Sequence, residues 1–262
     1  MAQDNSISVC LTIYNQEPII NFVANSIVAN VSKNVKEIIC VFDGCTDKSE
    51  EITKNIFDNS DIPTKYFITD DVWEVKANNL SFKNASCPYI LTIQDDMMLL
   101  EENFDQRLIK PFDHISNLLG VTARNAQDEY IQDGKLLYKN VAGEDENSPW
   151  DHLYVRDVIV RGPIIFDHTK LAELDYLNEE FAPIYGDDYD LCFRALVEKE
   201  YVVGAYRAKY KSPEAWGTCR KHDSHKRNIF INSAMKNENM IMQRYADIMG
   251  GKHSENIFIG GN

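Results

Sequence analysis

Tyr89-Ile90-Leu91-Thr92-Ile93-Gln94-Asp95-Asp96 is the stretch from which the rest of this chain is read. Its first five residues are continuous in apolar and β-branched character, as a strand buried on both faces of a sheet should be. Two carboxylates then follow at once. Placed just past a buried strand they cannot serve the core, because an unpaired buried charge is strongly unfavourable. Neighbouring carboxylates also repel unless a cation or a shared proton relieves them. Hard oxygen ligands of this kind suit Mg²⁺ or Mn²⁺, completed by substrate phosphates. Two more acidic turns join this one. Val41-Phe42-Asp43-Gly44-Cys45-Thr46-Asp47 ends an earlier apolar run, and Gly186-Asp187-Asp188-Tyr189-Asp190 opens an apolar stretch that carries Arg194. Acid gathered on one sheet edge reads as a ligand site.

Outward from this strand the first 110 or so residues alternate strand and helix. Ile7 to Tyr14 predicts a strand, broken by Asn15-Gln16-Glu17-Pro18. A helix is expected over 17–31, with Ile20, Val23, Ile27 and Val31 at helical spacing and Pro18 in its first turn. Val35 to Phe42 is a second strand, and Thr46 to Ser49 can cap a helix running through Phe57. Lys65 to Thr69 predicts a third strand and Val75 to Ala85 a helix. Alternation of this kind favours a mainly parallel α/β sheet with right-handed crossovers, flanked by helices.

Past Pro111 the pattern loosens. Gly143 to Pro149 reads as an acidic, mobile loop. Val155 to Phe166 is expected as one strand interrupted by Arg161-Gly162-Pro163. A helix is expected over 188–199, a strand over 201–206, and a long helix over 228–249 with Ile229, Met235, Met240, Ile241, Tyr245 and Met249 near one face. With no internal repeat and no marked linker, one domain is expected.

Composition narrows the function classes. At 262 residues and 44% hydrophobic content the chain can bury a sizeable core. A net charge of −14 argues against nucleic acid, whose phosphates call for basic patches. Its six cysteines show no Cys-x-x-Cys spacing, and Cys10, Cys40 and Cys192 sit in apolar runs as small hydrophobes. No secretory leader opens the chain, and no apolar run nears the roughly 20 residues that span a bilayer. A cytoplasmic protein with reduced thiols is expected, with peripheral attachment at a membrane left open.

Taken in order, Ser8 to Asn15, Glu37 to Asp47 and Tyr89 to Asp96 resemble the GT-A glycosyltransferases, specifically glycosyltransferase family 2. Members typically have strands ending in Thr-Tyr-Asn, in Asp-Asp-Gly-Ser-Thr-Asp and in an Asp-x-Asp-like motif. Arg161-Gly162-Pro163 and Gly186 to Arg194 are similar to that family's acceptor-side segments, the latter standing where many members have Glu-Asp. Phe42 and Gln94 replace acids of the pattern, which bears on the base contact and on the metal geometry. The resemblance covers roughly residues 6–206. It implies a single GT-A domain over 1–262, with a nucleotide-sugar half at about 6–110, an acceptor half at about 111–227 and a C-terminal helix at about 228–250. It further implies a metal-dependent, inverting transfer from a nucleotide diphosphate sugar, a UDP-sugar, to a hydroxyl of a glycan or other acceptor, with Mn²⁺ or Mg²⁺ as cofactor.

The same resemblance assigns roles. Asp96 would hold the metal, and Asp95 would contact the donor ribose or share the ion. Asp43, with Thr12, Tyr14 and Glu17, would hold nucleobase and ribose, and Lys76 would border the base. Asp188 would take the proton of the acceptor hydroxyl, while Asp187 holds a hydroxyl. In the basic island Arg220 to Arg227, His222 or His225 would be a further metal ligand, and Lys226 or Arg227 would neutralise phosphate. Apart from the resemblance, Trp216 could pack on a sugar face, a buried aromatic being the commoner outcome. Each residue also has a plainer reading: a solvated turn for Asp95-Asp96, a simple Asp-Gly turn at Asp43, a helix cap for Asp187 or Asp188, and solvated faces for Lys76 and the basic island. Asp43 and Asp95-Asp96 are expected at the ends of neighbouring strands. Two other functions compete. A nucleotidyltransferase would carry a Gly-rich basic loop after its first strand, which Asn15-Gln16-Glu17-Pro18 lacks. A non-catalytic sugar-binding module would not need both acidic clusters intact.

Overall fold

The computed structural model describes residues 4–144, 147–213 and 223–260. Its first half follows the expected alternation: β1 (Ile7–Ile13), α1 (Ile20–Asn30), β2 (Val35–Asp43), α2 (Ser49–Phe57), β3 (Thr64–Thr69), α3 (Trp73–Lys83) and β4 (Tyr89–Gln94). Pro18 lies in the turn before α1, not in its first turn. The second half is richer in strands: β5 (Met98–Leu99), α4 (Phe104–Ile109), β6 (Leu118–Thr122), β7 (Ala126–Gln132), β8 (Lys135–Ala142), β9 (His152–Arg156), β10 (Val158–Ile159) and β11 (Ile164–Asp167). Then come α5 (His168–Glu173), α6 (Asp187–Lys199), β12 (Val202–Ala205), β13 (Tyr210–Lys211), α7 (Ser224–Tyr245) and β14 (Glu255–Phe258).

Nine of these strands form one sheet in the order β14-β9-β12-β6-β11-β4-β1-β2-β3. β1 to β4 are mutually parallel, and β6, β12 and β14 run the same way; β11 and β9 oppose them. Seven strands therefore point their carboxyl ends at one edge, where ligands of open α/β sheets bind. Alternate side chains feed cores on the two faces. Ile7, Val9, Leu11 and Ile13 pack with α1, α2 and α4, while Cys10 and Ile39 face the core of α3, α5, α6 and α7. This two-sided burial is why the early strands read as unbroken apolar runs.

Three expectations are corrected. Residues 155–166 are not one interrupted strand but parts of three, β9 and β11 in the main sheet and β10 paired with β7. Asp157 makes the first break, because its N–H donates to Asp128 Oδ1 (3.2 Å) and its Oδ2 accepts from Glu129 N (3.1 Å), which draws the chain towards β7. Asp43 and Asp95-Asp96 are not at the ends of neighbouring strands, since β1 lies between β2 and β4. The long helix begins at Ser224, where the Asp223 carboxylate accepts from His225 N and Lys226 N. Of its expected apolar face, Ile241, Tyr245 and Met249 are buried, while Met235 is 63% exposed. Among the described residues no helix is long and apolar enough to cross a membrane.

Besides its buried Ile241 and Tyr245, α7 is held by Asn237. Its buried Nδ2 donates to the carbonyls of Phe181 (2.8 Å), Ile184 (3.1 Å) and Tyr185 (2.7 Å), the segment that leads into α6. At the junction Gly186 has φ +83°, and a Cβ there would stand 2.7 Å from Ile241 Cδ1. Glycine thus lets α7 press against the start of α6. Asn237→Ala leaves those carbonyls without their donor, so urea denaturation should show a loss of about 2 kcal/mol. An unchanged midpoint would mean that α7 docks by other means.

Candidate active site

The carboxyl edge opens into a cavity of about 270 Å³. Its rim is polar and its floor apolar. Thr12, Tyr14 and Gln16 come from the end of β1 and its loop, and Gln94, Asp95 and Asp96 from the end of β4. Trp73, Glu74 and Asn78 come from α3, Arg161 from the loop before β11, Asp187 and Asp188 from α6, and Phe230 from α7.

Asp95 shapes the rim. Its Oδ2 accepts from Tyr14 N (2.8 Å) and its Oδ1 from Gln16 Nε2 (3.2 Å), which pins the loop leaving β1 to the end of β4. Asp96 differs: its Oδ1 is buried and has no hydrogen-bond partner. Burial, joined by the negative charge of Glu74, pushes its carboxyl above the ordinary range, with Arg124 pulling the other way. A buried, unpartnered carboxylate oxygen in a polar rim lacks a positive partner. Among the described residues no three His, Cys, Asp or Glu side chains gather into a metal cage. Two adjacent carboxylates, one with a bare oxygen, still fit an ion that takes its other ligands from phosphate and water.

Asp43 is fully buried and works one step away from the cavity. Its Oδ1 accepts from Thr69 Oγ1 (2.8 Å) and Val72 N (2.6 Å), and its Oδ2 from Trp73 N (2.8 Å). It thereby caps the start of α3 from the end of β2 and fixes Trp73, which lines the cavity. The backbone there is unusual, with Asp71 at φ +53° and Trp73 at φ +68°. A Cβ on Gly44 would come within 2.7 Å of Asp71 Cβ, so only glycine allows this close approach.

Across the cavity Arg161 joins two carboxylates. Its Nη1 lies 2.5 Å from Glu74 Oε1, and its Nη2 pairs with Asp187 Oδ2. Gln94 Nε2 also donates to Glu74 Oε1 (3.1 Å). Desolvation opposes the guanidinium charge, but Asp187 and Glu74 outweigh it and hold the pKa well above its ordinary value. Asp187 is wholly buried, and its second oxygen, Oδ1, has no hydrogen-bond partner. Burial pushes the Asp187 carboxyl up, against the pull of Arg161. Asp188 is partly exposed, and burial raises its carboxyl too, again opposed by Arg161. At the other end of the cavity, Lys226 of α7 sits over the Tyr14 ring, 4.2 Å from its centroid. It contacts the Tyr14 hydroxyl and lies 2.6 Å from Asp71 Oδ2.

Of the residues the sequence singled out, the fold brings Thr12, Tyr14, Asp95, Asp96, Asp187 and Asp188 into one cavity. Glu17 is exposed and spent on local structure, its Oε2 accepting from Lys48 N (3.1 Å). Lys76 is exposed on the outer side of α3, and Asn78, two residues further along, lines the cavity and accepts from Thr12 Oγ1 (3.0 Å). His225 is exposed in the first turn of α7 and does not line the cavity. His222 and Trp216 lie outside the described residues. Sequence reasoning gave no role to Glu74 or Gln16, and quoted Arg161 only as part of a motif. The one local signal was an acid in the first turn of a helix, too common to single out Glu74.

The sequence pattern of Glycosyl transferase family 2 matches residues 8–154, more than half of the chain, and the chain belongs to that family. It is 25% identical over 202 residues to "Glycosyltransferase GlyA" of Streptococcus pneumoniae serotype 4, a match that covers 69% of this chain and 28% of that protein. An uncharacterized glycosyltransferase of Haemophilus influenzae is 28% identical over 102 residues, 39% of this chain and 40% of its own. The chain thus spans well under half of the curated relatives it matches. In fold it resembles S. aureus TarS 1-349 in complex with UDP, with a TM-score of 0.55 and 17% identity over 78% of this chain and 59% of that one. It also resembles GalNAc-T7 with UDP, GalNAc and Mn²⁺, with a TM-score of 0.63 and 11% identity over 81% of this chain and 44% of that one. At these identities the likeness is one of fold, and the fold is of the GT-A type.

The geometry at Asp43 makes a test. Asp43→Ala strands three donors and should lower unfolding stability by about 3 kcal/mol. Asp43→Asn keeps an acceptor and should lose less. Equal stability of Asp43→Ala and the parent in a urea titration would free Asp43 for direct ligand contact.

Proposed function

We propose that this chain moves a sugar from a nucleotide diphosphate sugar, with uridine as its nucleoside, to a hydroxyl of a glycan or similar acceptor, inverting the anomeric centre. The observation that carries this reading is the joining of two acidic sets in one cavity. Asp95-Asp96 closes the parallel half of the sheet, and Asp187-Asp188 opens the helix opposite. The division into a donor half at about 6–110 and an acceptor half at about 111–227 follows the same line. TarS and GalNAc-T7 carry UDP in the structures that this fold resembles, which supports a uridine donor.

Thr12, Tyr14 and Gln16 border the donor end, and Lys226 brings positive charge to it. Asp96, with Asp95 beside it, would hold Mn²⁺ or Mg²⁺. Such an ion, when bound, offsets the negative charge that builds on the departing diphosphate. Asp188 faces the cavity with its carboxyl raised, a stronger base than an ordinary Asp. It takes the proton of the acceptor hydroxyl as that oxygen attacks the anomeric carbon. Asp187, anchored through one oxygen, offers the other to a hydroxyl of the acceptor. Its task is orientation.

Asp188→Asn keeps volume and polarity but cannot accept a proton. Transfer followed by UDP release should show kcat reduced by about 10²–10⁴-fold, with donor affinity within a few-fold of the parent. Normal turnover by Asp188→Asn would remove Asp188 from the chemistry. Asp96→Ala should nearly abolish transfer, as should excess chelator on the parent protein. Full activity in chelator would contradict the metal assignment.

A further inference from the structure

The Glu74–Arg161–Asp187 bridge is more than a fastening. Two carboxylates, Glu74 and Asp187, share one guanidinium that is mostly buried, and the charge of Asp188 also acts on it. Buried ion triads are a poor route to stability, since apolar replacements of similar volume are often neutral or better. Their usual return is a fixed geometry and a fixed local charge. Here the fixed object is Asp187, whose Oδ2 is taken by Arg161 while Oδ1 stays bare. The other end of the bridge is Glu74 on α3, itself tied to the end of β4 by Gln94. One guanidinium therefore spans from the acid-bearing end of β4 to the helix that carries the base.

We propose that Arg161 and Glu74 are positioning residues of the transfer, forming a charge bridge that orients Asp187 and sets the electrostatic potential at the Asp187–Asp188 pair. This rests on the transferase reading above and deepens it. The two act with opposite sign. Arg161 favours the ionised pair, and Glu74 disfavours it both directly and by drawing on the guanidinium. Glu129 of β7, together with Tyr185, Tyr189 and Cys192, also faces Asp188, but none of these carries positive charge. Arg161 is thus the cation that decides the balance in both carboxyls.

The test titrates carboxyl ¹³C resonances of Asp-labelled protein, assigned through Asp187→Asn and Asp188→Asn, alongside pH profiles of kcat/KM with UDP-sugar. Arg161→Gln should move the carboxyl midpoints and the acid limb of kcat/KM to higher pH by about one pH unit or more. Glu74→Gln should move both to lower pH. Arg161→Lys should bring the limb back towards the parent while acceptor KM stays raised, because an ammonium cannot grip two carboxylates as a fork. A purely structural bridge would lower rates without shifts of opposite sign. Shifts in the same direction, or none in either variant, overturn the proposal. Should Arg161→Gln not fold, Glu74→Gln alone decides: a downward shift supports the bridge, and no shift or an upward one ends it. Opposite carboxyl shifts in a protein that transfers no sugar would keep the bridge and discard the transferase reading.

Discussion

A guanidinium held between two carboxylates in a mostly buried cleft constrains the rest of this molecule. Arg161 reaches Glu74 on one side and Asp187 on the other. Neither acid could stand there alone, because a carboxylate removed from water without a partner is far too unfavourable to keep. Their compensation fixes the separation of α3 and α6, and with it the width of the cavity. The sheet edge supplies the place, and the bridge supplies the gauge. Asn237 and Gly186 then set α7 against the same α6, so that Phe230 lines the cavity and Lys226 reaches Tyr14, which borders it.

The acidic strand ends share a composition but not a task. Asp43 spends both oxygens on the backbone of the β3–α3 loop and on Thr69. Asp95 spends both on the loop after β1. Among the described residues, only Asp96 and Asp187 keep a buried carboxylate oxygen with no hydrogen-bond partner beside the cavity. The difference matters because a carboxylate already satisfied by several N–H donors gains little from a ligand, whereas a bare one gains a full partner. Loop shape and ligand chemistry are therefore divided among acids that look alike on paper.

Much of this was legible in the chain. β1, β2 and β4 are buried on both faces, so each prints a continuous apolar run, and the acids that follow β2 and β4 mark the carboxyl edge. Some later strands print no such signal. β8 is exposed along most of its length, and β10 has only two residues. One hairpin signal was present: Asp133-Gly134, both at positive φ, is the Asp-Gly turn that joins β7 to β8. Glu74 was out of reach, since its partner Arg161 lies far along the chain and only the folded sheet brings them together. Lys76 and His225 show the converse, both being exposed and outside the lining of the cavity. Their chemistry suits a donor site, but helical phase turns Lys76 outward while Asn78 faces in.

The central claim is that Asp96 and the rim of β1 receive the diphosphate of the donor, opposite Asp187 and Asp188. A crystal structure of the protein soaked with UDP and Mn²⁺ tests it most directly. The expected result is an ion bound to the Asp96 carboxylate and to phosphate oxygens, with the uridine beside Tyr14 and the open side of the ion facing Asp188. UDP bound away from this cavity, or bound within it with its phosphates remote from Asp96, would contradict the account.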